Sequence, residues 1–350
     1  MKSSQNLGYR LPAELEPQEA VWLSWPSNPA SWPHCWDAIH PKFAEIALVL
    51  SRSQSVYINL VSELQSEAES ILGKVGADLG LARGDIQFFD HPVNHVWVRD
   101  YGPIYLRGEE DGAVALTNWN FNGWGEKYPF ELDNQVPALV ARQTDLPCFE
   151  QSLILEGGSI ETNGQGDLLV TTNCLLNPNR NPDCSRDEIE TQLKSGLGVD
   201  KVHWLDGCIE GDDTDGHIDN LVRFFKPIGV LVASGSSRDD PNFDALVRLE
   251  QQCRELTFSN GDPVEVRLVP LPESRFQGER RLPMSYVNFF VANQVVIMPS
   301  YGQVASDAHA HNIVSDAFPD REGVSIDCQE VIQDGGALHC LTQQVPQTQQ

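Results

Sequence analysis

Two short stretches set far apart in the chain decide its architecture: "LILEGGSIET" at 153–162 and "VIQDGGALHC" at 331–340. They align as aliphatic, carboxylate, Gly-Gly, small, aliphatic, polar. A second pair behaves alike. "VLVASGSSRDD" (230–240) and "VIMPSYGQVASD" (296–307) both run from a buried strand through a Ser/Gly loop into an acidic helix start. Set in a recurring strand–helix–strand rhythm, these matches point to about five related modules of about 50–60 residues in a closed repeat architecture. An ordinary α/β crossover fold alternates in a similar way. The matched loops favour the repeat.

Working outward, "SVYINLV", "DIQFF", "PIYL", "AVALTNWNF", "DLLVTTN", "KVHWLDG", "NLVRFFKPIGVLVAS", "VEVRLVPL", "NFFVANQVVIMPS" and "VSIDC" read as strands, and "SLILEGG" as a strand end. The helices are "SELQSEAESILGKVG", "PFELDNQVPALVARQT", "RDEIETQLKSGLG", "FDALVRLEQQCREL" and "SDAHAHNIVSDAF". The first 40 residues, with "WLSWPSNPASWPHCW", read as a strand at Ala20–Trp25 followed by an irregular aromatic-lined loop. The expectation is one catalytic domain over 1–350, with a flexible tail at 346–350.

Composition narrows the function. There are 350 residues, 41% of them hydrophobic and 21% charged, as in a globular protein with a substantial core. No apolar run is long enough for a membrane span, and "MKSSQNLGYRLPAEL" lacks a secretory h-region, so a cytoplasmic location is expected. With 24 basic against 50 acidic residues the net charge is −26, which argues against nucleic acid as a partner. The charge serves either solubility or attraction of a cationic substrate. Eight scattered cysteines form no C-x-x-C pair, so neither a zinc site nor a disulfide scaffold is indicated.

In a closed ring of modules, the loops that join one module to the next share a face. Those loops hold "VWVRDYGP", "LEGGSIE", "GDDTDGHIDN", "PMSYVNF" and "GGALHC", so their polar residues converge. Cys340 follows Gly335-Gly336 and is either inert core or a nucleophile. His217 and Asp219 alternate as H-x-D and share a face if extended. Asp100 and Glu156 are either turn acids or site acids. The run "DDTDGHIDN" (212–220) lacks the EF-hand order, because Thr214 and His217 interrupt it. His309 and His311 fall two apart in a helix and cannot share a face. Pro92 argues against a helix joining His91 to His95. No metal is expected.

A carboxylate-lined pocket with one Cys and one His suits a different guest. Acids raise a thiol's pKa unless a cation enters with them. A guanidinium is planar, cationic, matched by bidentate carboxylates and electrophilic at carbon. The set therefore points to guanidine hydrolysis. An acidic far wall at Glu210, Asp212, Asp213 and Asp215 suits a substrate with a second positive charge, although Arg223 would oppose it.

The motifs "VWVRDYGP", "LEGGSIETNGQGDLLVTTNCLLNPNRNP", "DTDGHIDN" and "GGALHCLTQQVP", with "WLSWP" near the start, resemble those of the agmatine deiminase / bacterial peptidylarginine deiminase family. The likeness covers nearly the whole chain. It implies a five-bladed pseudosymmetric α/β-propeller of the guanidino-group-modifying superfamily, with a central active site and no cofactor. It also implies Cys340 as nucleophile, His217 as acid/base and Glu156 as an additional catalytic carboxylate. Asp100 and Asp219 would grip the guanidinium, and Trp97 would line the substrate site. The implied reaction converts agmatine and water to N-carbamoylputrescine and ammonia through a covalent thiouronium. The alternatives are deimination of peptidyl-arginine or free arginine, and a non-catalytic binder of guanidines or polyamines. The expected partner is a small cationic guanidine, compatible with a homo-oligomer. The chain departs from the family at "GGALHC", where agmatine deiminases carry "GGGNIHC". It also has Asp215 where they carry Asn, and Arg223 where they carry a small or thiol-bearing residue. All three changes bear on the far end of the substrate.

Overall fold

The computed structural model describes residues 4–348 apart from 236, 260 and 262. The chain enters through β1 (Tyr9–Arg10) and β2 (Gln18–Ser24), and a helix at Trp36–Leu50 leads to β3 (Ser55–Leu60), parallel to β2. A second helix, Gln65–Leu79, adds β4 (Ile86–Asp90) parallel to β3.

The next four modules share one plan: an antiparallel pair, a helix, and a third strand parallel to the second. β5 (Ile104–Gly108) and β6 (Val114–Asn120) precede the helix Val136–Thr144 and β7 (Cys148–Ile154). β8 (Ile160–Thr162) and β9 (Asp167–Thr171) precede the helix Arg186–Leu197 and β10 (Lys201–Leu205). β11 (Val222–Lys226) and β12 (Gly229–Ser234) precede the helix Phe243–Glu255 and β13 (Glu265–Pro270). A short ribbon follows, β14 (Phe276–Gln277) with β15 (Arg280–Arg281). Then come β16 (Phe290–Val291), β17 (Val295–Ser300), the helix Val304–Ala317 and β18 (Glu322–Asp327).

β19 (Gln343–Pro346) supplies the missing antiparallel strand of the first module, with Gln343 opposite Trp22 and Val345 opposite Ala20. Five sheets thus repeat one three-strand core, and the fold is an α/β propeller of five modules. The middle strands β9 and β12 are apolar at their centres, where residues of both faces are buried. Leu168, Leu169 and Val170 in β9, and Val230, Leu231 and Val232 in β12, are fully buried. Local signals agree with the plan. Ser185 and Glu188 form a reciprocal capping box at the start of Arg186–Leu197, and Gly198 ends that helix at φ 64°.

Three segments differ from the sequence reading. The Trp/Pro-rich region read as irregular contains the helix Trp36–Leu50, with Pro41 inside it. Pro41 forfeits one backbone bond. Burial of Phe43, Ile46, Leu48 and Leu50 against the core outweighs that loss. In "PFELDNQVPALVARQT" only Val136–Thr144 is α-helical, preceded by a 3₁₀ turn at Asp133–Gln135. Pro346, expected to open a flexible tail, ends β19, and Gln347 N–H donates to Pro17 O at 2.9 Å. Residues 349–350 lie outside the described residues. Among the described residues no helix is long and apolar enough to cross a membrane.

A chain ending at Thr342 should lose the β19 ladder and the burial of Val345, which is 8% exposed. Urea unfolding of that truncation should report a loss of at least about 2 kcal/mol, since burying one Val side chain is worth about 1.5–3 kcal/mol. An unchanged midpoint would mean that closure by β19 does not stabilise the ring.

Candidate active site

The connections between modules converge on a cavity of about 340 Å³ whose walls include Trp97, Asp100, Trp124, Asp213, Asp334 and Cys340. Asp100 sits in a single helical turn, Val98–Tyr101, directly after β4. Its Oδ2 accepts a hydrogen bond from Trp124 Nε1 at 2.9 Å, and its Oδ1 accepts one from Gly158 N–H at 3.1 Å. Trp124 holds this position from a left-handed backbone (φ 56°) between Gly123 and Gly125. That geometry costs a non-glycine residue about 1–2 kcal/mol.

The two Gly-Gly pairs matter here for one steric reason. A Cβ at Gly158 would lie 2.6 Å from both Asp100 Oδ1 and His217 Nδ1, and 3.1 Å from Asp219 Oδ2. A Cβ at Gly336 would lie 2.6 Å from Trp97 Cζ3. Glycine lets Asp100, His217 and Asp219 crowd one point.

Cys340 follows β18 and a 3₁₀ turn at Val331–Asp334. Its Sγ lies 3.2 Å from Asn288 Nδ2 and 3.5 Å from Asp219 Oδ2. Asp219 Oδ2 also meets His339 Nδ1 at 2.8 Å, and the opposite ring nitrogen of His339 meets Glu14 Oε2 at 2.9 Å. Glu14 is in turn bound by Arg223 at 2.7 Å and Arg99 at 3.2 Å.

His217 is fully buried, 3.5 Å from Asp100, with no hydrogen-bond partner on either ring nitrogen among the described residues. Glu156 Oε2 and Asp219 Oδ1 are likewise unpartnered. Ligating atoms of Glu156, Cys174 and His217 lie within 4.8 Å of one another, a spacing that could hold a metal. The Arg180 guanidinium places its Nε 2.6 Å from Glu156 Oε1 and leaves Oε2 unpartnered. The guanidinium supplies the positive charge that this cluster needs.

Electrostatics separate the groups. Burial first, then Asp219 and Asp100, pushes the Cys340 thiol well above the ordinary thiol range. Burial raises Asp100 to about 6, assisted by Asp219 and opposed by His217. Burial would lower His217, but Asp100, Cys174 and Glu156 outweigh it and hold His217 well above the usual imidazole value. Asp219 resists the upward push of burial through its bond to His339 and stays below the usual carboxylate value.

The structure thus brings Cys340, His217, Glu156, Asp100, Asp219 and Trp97 together. The far-end acids behave differently. Glu210 pairs with Arg281 at 3.3 Å and does not line the cavity. Asp215 is turned aside by Arg180 at 2.7 Å and Lys127 at 2.8 Å. Asp212 is tied to Thr214 at 2.6 Å. Asp213 does line the cavity, with its Oδ2 bonded to Arg280 at 2.9 Å and Tyr128 at 3.1 Å. Arg223, expected to oppose these acids, is buried between Glu14 and Glu161 outside the cavity. Each of these groups found an oppositely charged or hydrogen-bonding neighbour that single-sequence reading could not see. The sequence reading also missed Glu14, Trp124, Arg180, Asn288, Asp334 and His339. Asn288 lay within "PMSYVNF", already placed on the shared face, and the strained "GWG" was a signal for Trp124.

Comparison with known proteins finds relatives across nearly the whole chain. A family profile described as Porphyromonas-type peptidyl-arginine deiminase matches residues 10–346. The chain is 32% identical over 366 residues to the agmatine deiminase of Pseudomonas aeruginosa, covering 97% of this chain and 96% of that protein. The structure of the Enterococcus faecalis agmatine deiminase matches at TM-score 0.91 and 28% identity, covering 99% of this chain and 98% of that one. A cysteine-to-serine variant of the C. jejuni agmatine deiminase with substrate bound matches at TM-score 0.88 and 28% identity, covering 98% and 97%.

Glu14→Ala should strand the buried Arg99, Arg223 and His339. Removing one partner of a buried ion pair costs about 3–5 kcal/mol, to be read as a lowered midpoint in urea. A change within about 0.5 kcal/mol, the range of ordinary surface substitutions, would show that the network does not depend on Glu14.

Proposed function

Because the chain belongs to the Porphyromonas-type peptidyl-arginine deiminase family over residues 10–346, we propose that it is a single-domain cytoplasmic enzyme that hydrolyses a guanidinium group, with agmatine its best substrate. The observation that carries this reading is the crowding of Asp100, His217 and Asp219 around Gly158, with Cys340 Sγ 3.5 Å from Asp219. A thiol buried among carboxylates is a poor nucleophile until a cation joins it. A guanidinium held between Asp100 and Asp219 is that cation, and it presents its electrophilic carbon to the sulfur.

Substrate binding lowers the Cys340 pKa, the thiol releases its proton to water, and the thiolate attacks the central carbon. Protonated His217 gives its proton to the departing nitrogen, and ammonia leaves from the tetrahedral adduct. The resulting thiouronium is attacked by water, which passes a proton to His217. The carbon–sulfur bond then breaks, returning the Cys340 thiolate and releasing a ureido product. Asp100 and Glu156 favour the protonated form of His217 with which the cycle begins. No metal or cofactor takes part.

A second reading, deimination of arginine in peptides, draws on Arg280, which pairs with Asp213 at the cavity wall. A substrate carboxylate would have to draw Arg280 away from Asp213. Assays of ammonia and ureido product with agmatine, free arginine and an arginyl peptide decide between the readings. Agmatine should lead by about a hundredfold in kcat/KM, the worth of a few kcal/mol of like-charge repulsion. Equal turnover of the peptide would transfer the assignment to peptidyl-arginine. Cys340→Ala should abolish turnover, whereas a variant with substantial residual activity would show that another group attacks the substrate.

The pH profile has a defined sign. Asp100 must be ionised to hold the cation, and its pKa lies at about 6 in the free protein. kcat/KM should therefore fall as pH drops through about 6, since this ratio reports groups of the free enzyme. A profile flat from pH 5 to 7 would remove Asp100 from the binding step.

A further inference from the structure

We propose that Asp334 receives the charged tail of the substrate and makes this chain selective for guanidines that carry a second cation. The assignment deepens the deiminase reading and rests on it. Asp334 lines the same cavity as Cys340, between the Gly335-Gly336 pair and the wall formed by Trp97. Its Oδ2 accepts a hydrogen bond from Trp97 Nε1 at 3.2 Å. It forms no ion pair within 4 Å among the described residues, unlike every other acid expected at the far end except Asp212, which is tied to Thr214. Asp213, the other far-end acid in the cavity wall, already spends its Oδ2 on Arg280 and Tyr128.

The repeat that organises the fold explains why an acid stands here. Glu156 and Asp334 are the carboxylates preceding Gly-Gly in two equivalent connections, one after β7 and one after β18. The first faces His217 and the second faces the cavity. Burial raises Asp334 to about 6, with His95, Trp97 and Arg280 opposing that rise. A half-buried carboxylate outside any direct ion pair keeps capacity for an incoming ammonium that Asp213 has already given to Arg280. Trp97 and Trp124 give the intervening methylenes an apolar wall.

The test compares agmatine with n-butylguanidine, which has the same chain without the amine, in wild type, Asp334→Asn and Asp213→Asn. Asparagine keeps an acceptor for Trp97, and matching thermal midpoints would confirm that the variants fold. Asp334→Asn should raise KM for agmatine about tenfold or more, as expected for loss of one charged hydrogen bond, with a smaller change in kcat. n-Butylguanidine kinetics should stay within about twofold of wild type, and Asp213→Asn should discriminate less between the two substrates. Equal effects of Asp334→Asn on both guanidines, or discrimination carried by Asp213 instead, would overturn the assignment while leaving the deiminase chemistry intact. Failure of wild type to turn over either guanidine would overturn the deiminase reading, and this assignment with it.

Discussion

The carboxylate of Glu14 is the contact on which the rest of the centre depends. It comes from the loop between β1 and β2, yet it accepts from Arg223, Arg99, His339 and the backbone of Val291. Those partners belong to connections or strands of different modules. A single buried charge, kept ionised by the cations around it against the penalty of burial, therefore ties the ring together along its axis. From His339 the chain of contacts continues to Asp219 and then to Cys340. Structural and chemical charges form one network. Its members are expected to couple strongly when mutated together.

That network explains how an acidic centre survives without its substrate. Asp219 is held by His339, Glu156 by Arg180, and Asp100 by Trp124 and Gly158 N–H. Each acid has enough support to stay in place and still leaves capacity for a planar cation. Asp219 Oδ1 and Glu156 Oε2 are the unfilled acceptors. Preorganisation of this kind places the cost of holding charges together in folding and spares the catalytic step.

How much of this was legible in the sequence depended on whether the signal was local. Strand–helix alternation, the Gly-Gly repeats and H-x-D are local patterns, and they marked the five modules and residues that the structure brings to one centre. The helix Trp36–Leu50 was lost because its Trp and Pro content hid an apolar face that only burial reveals. Of the far-end acids, Glu210, Asp212 and Asp215 were misplaced for a different reason. Net charge along "GDDTDG" says nothing about the bases at 127, 180, 280 and 281 that fold back upon it. Glu14 and His339 were invisible for the same reason, since their partners lie up to 325 residues away. Ion-pair partners chosen by tertiary structure leave no spacing to read.

Cys340 stands only two residues before β19, the strand that closes the ring against β2. The buried thiol and the strand that closes the ring therefore belong to one short stretch of chain. During synthesis the earlier modules emerge before this stretch, because chain growth delivers modules in order. A chain interrupted before it would lack the thiol and also His339, the partner of Asp219 and Glu14. One stretch thus supplies the sulfur, the support of the acids and the closure of the ring.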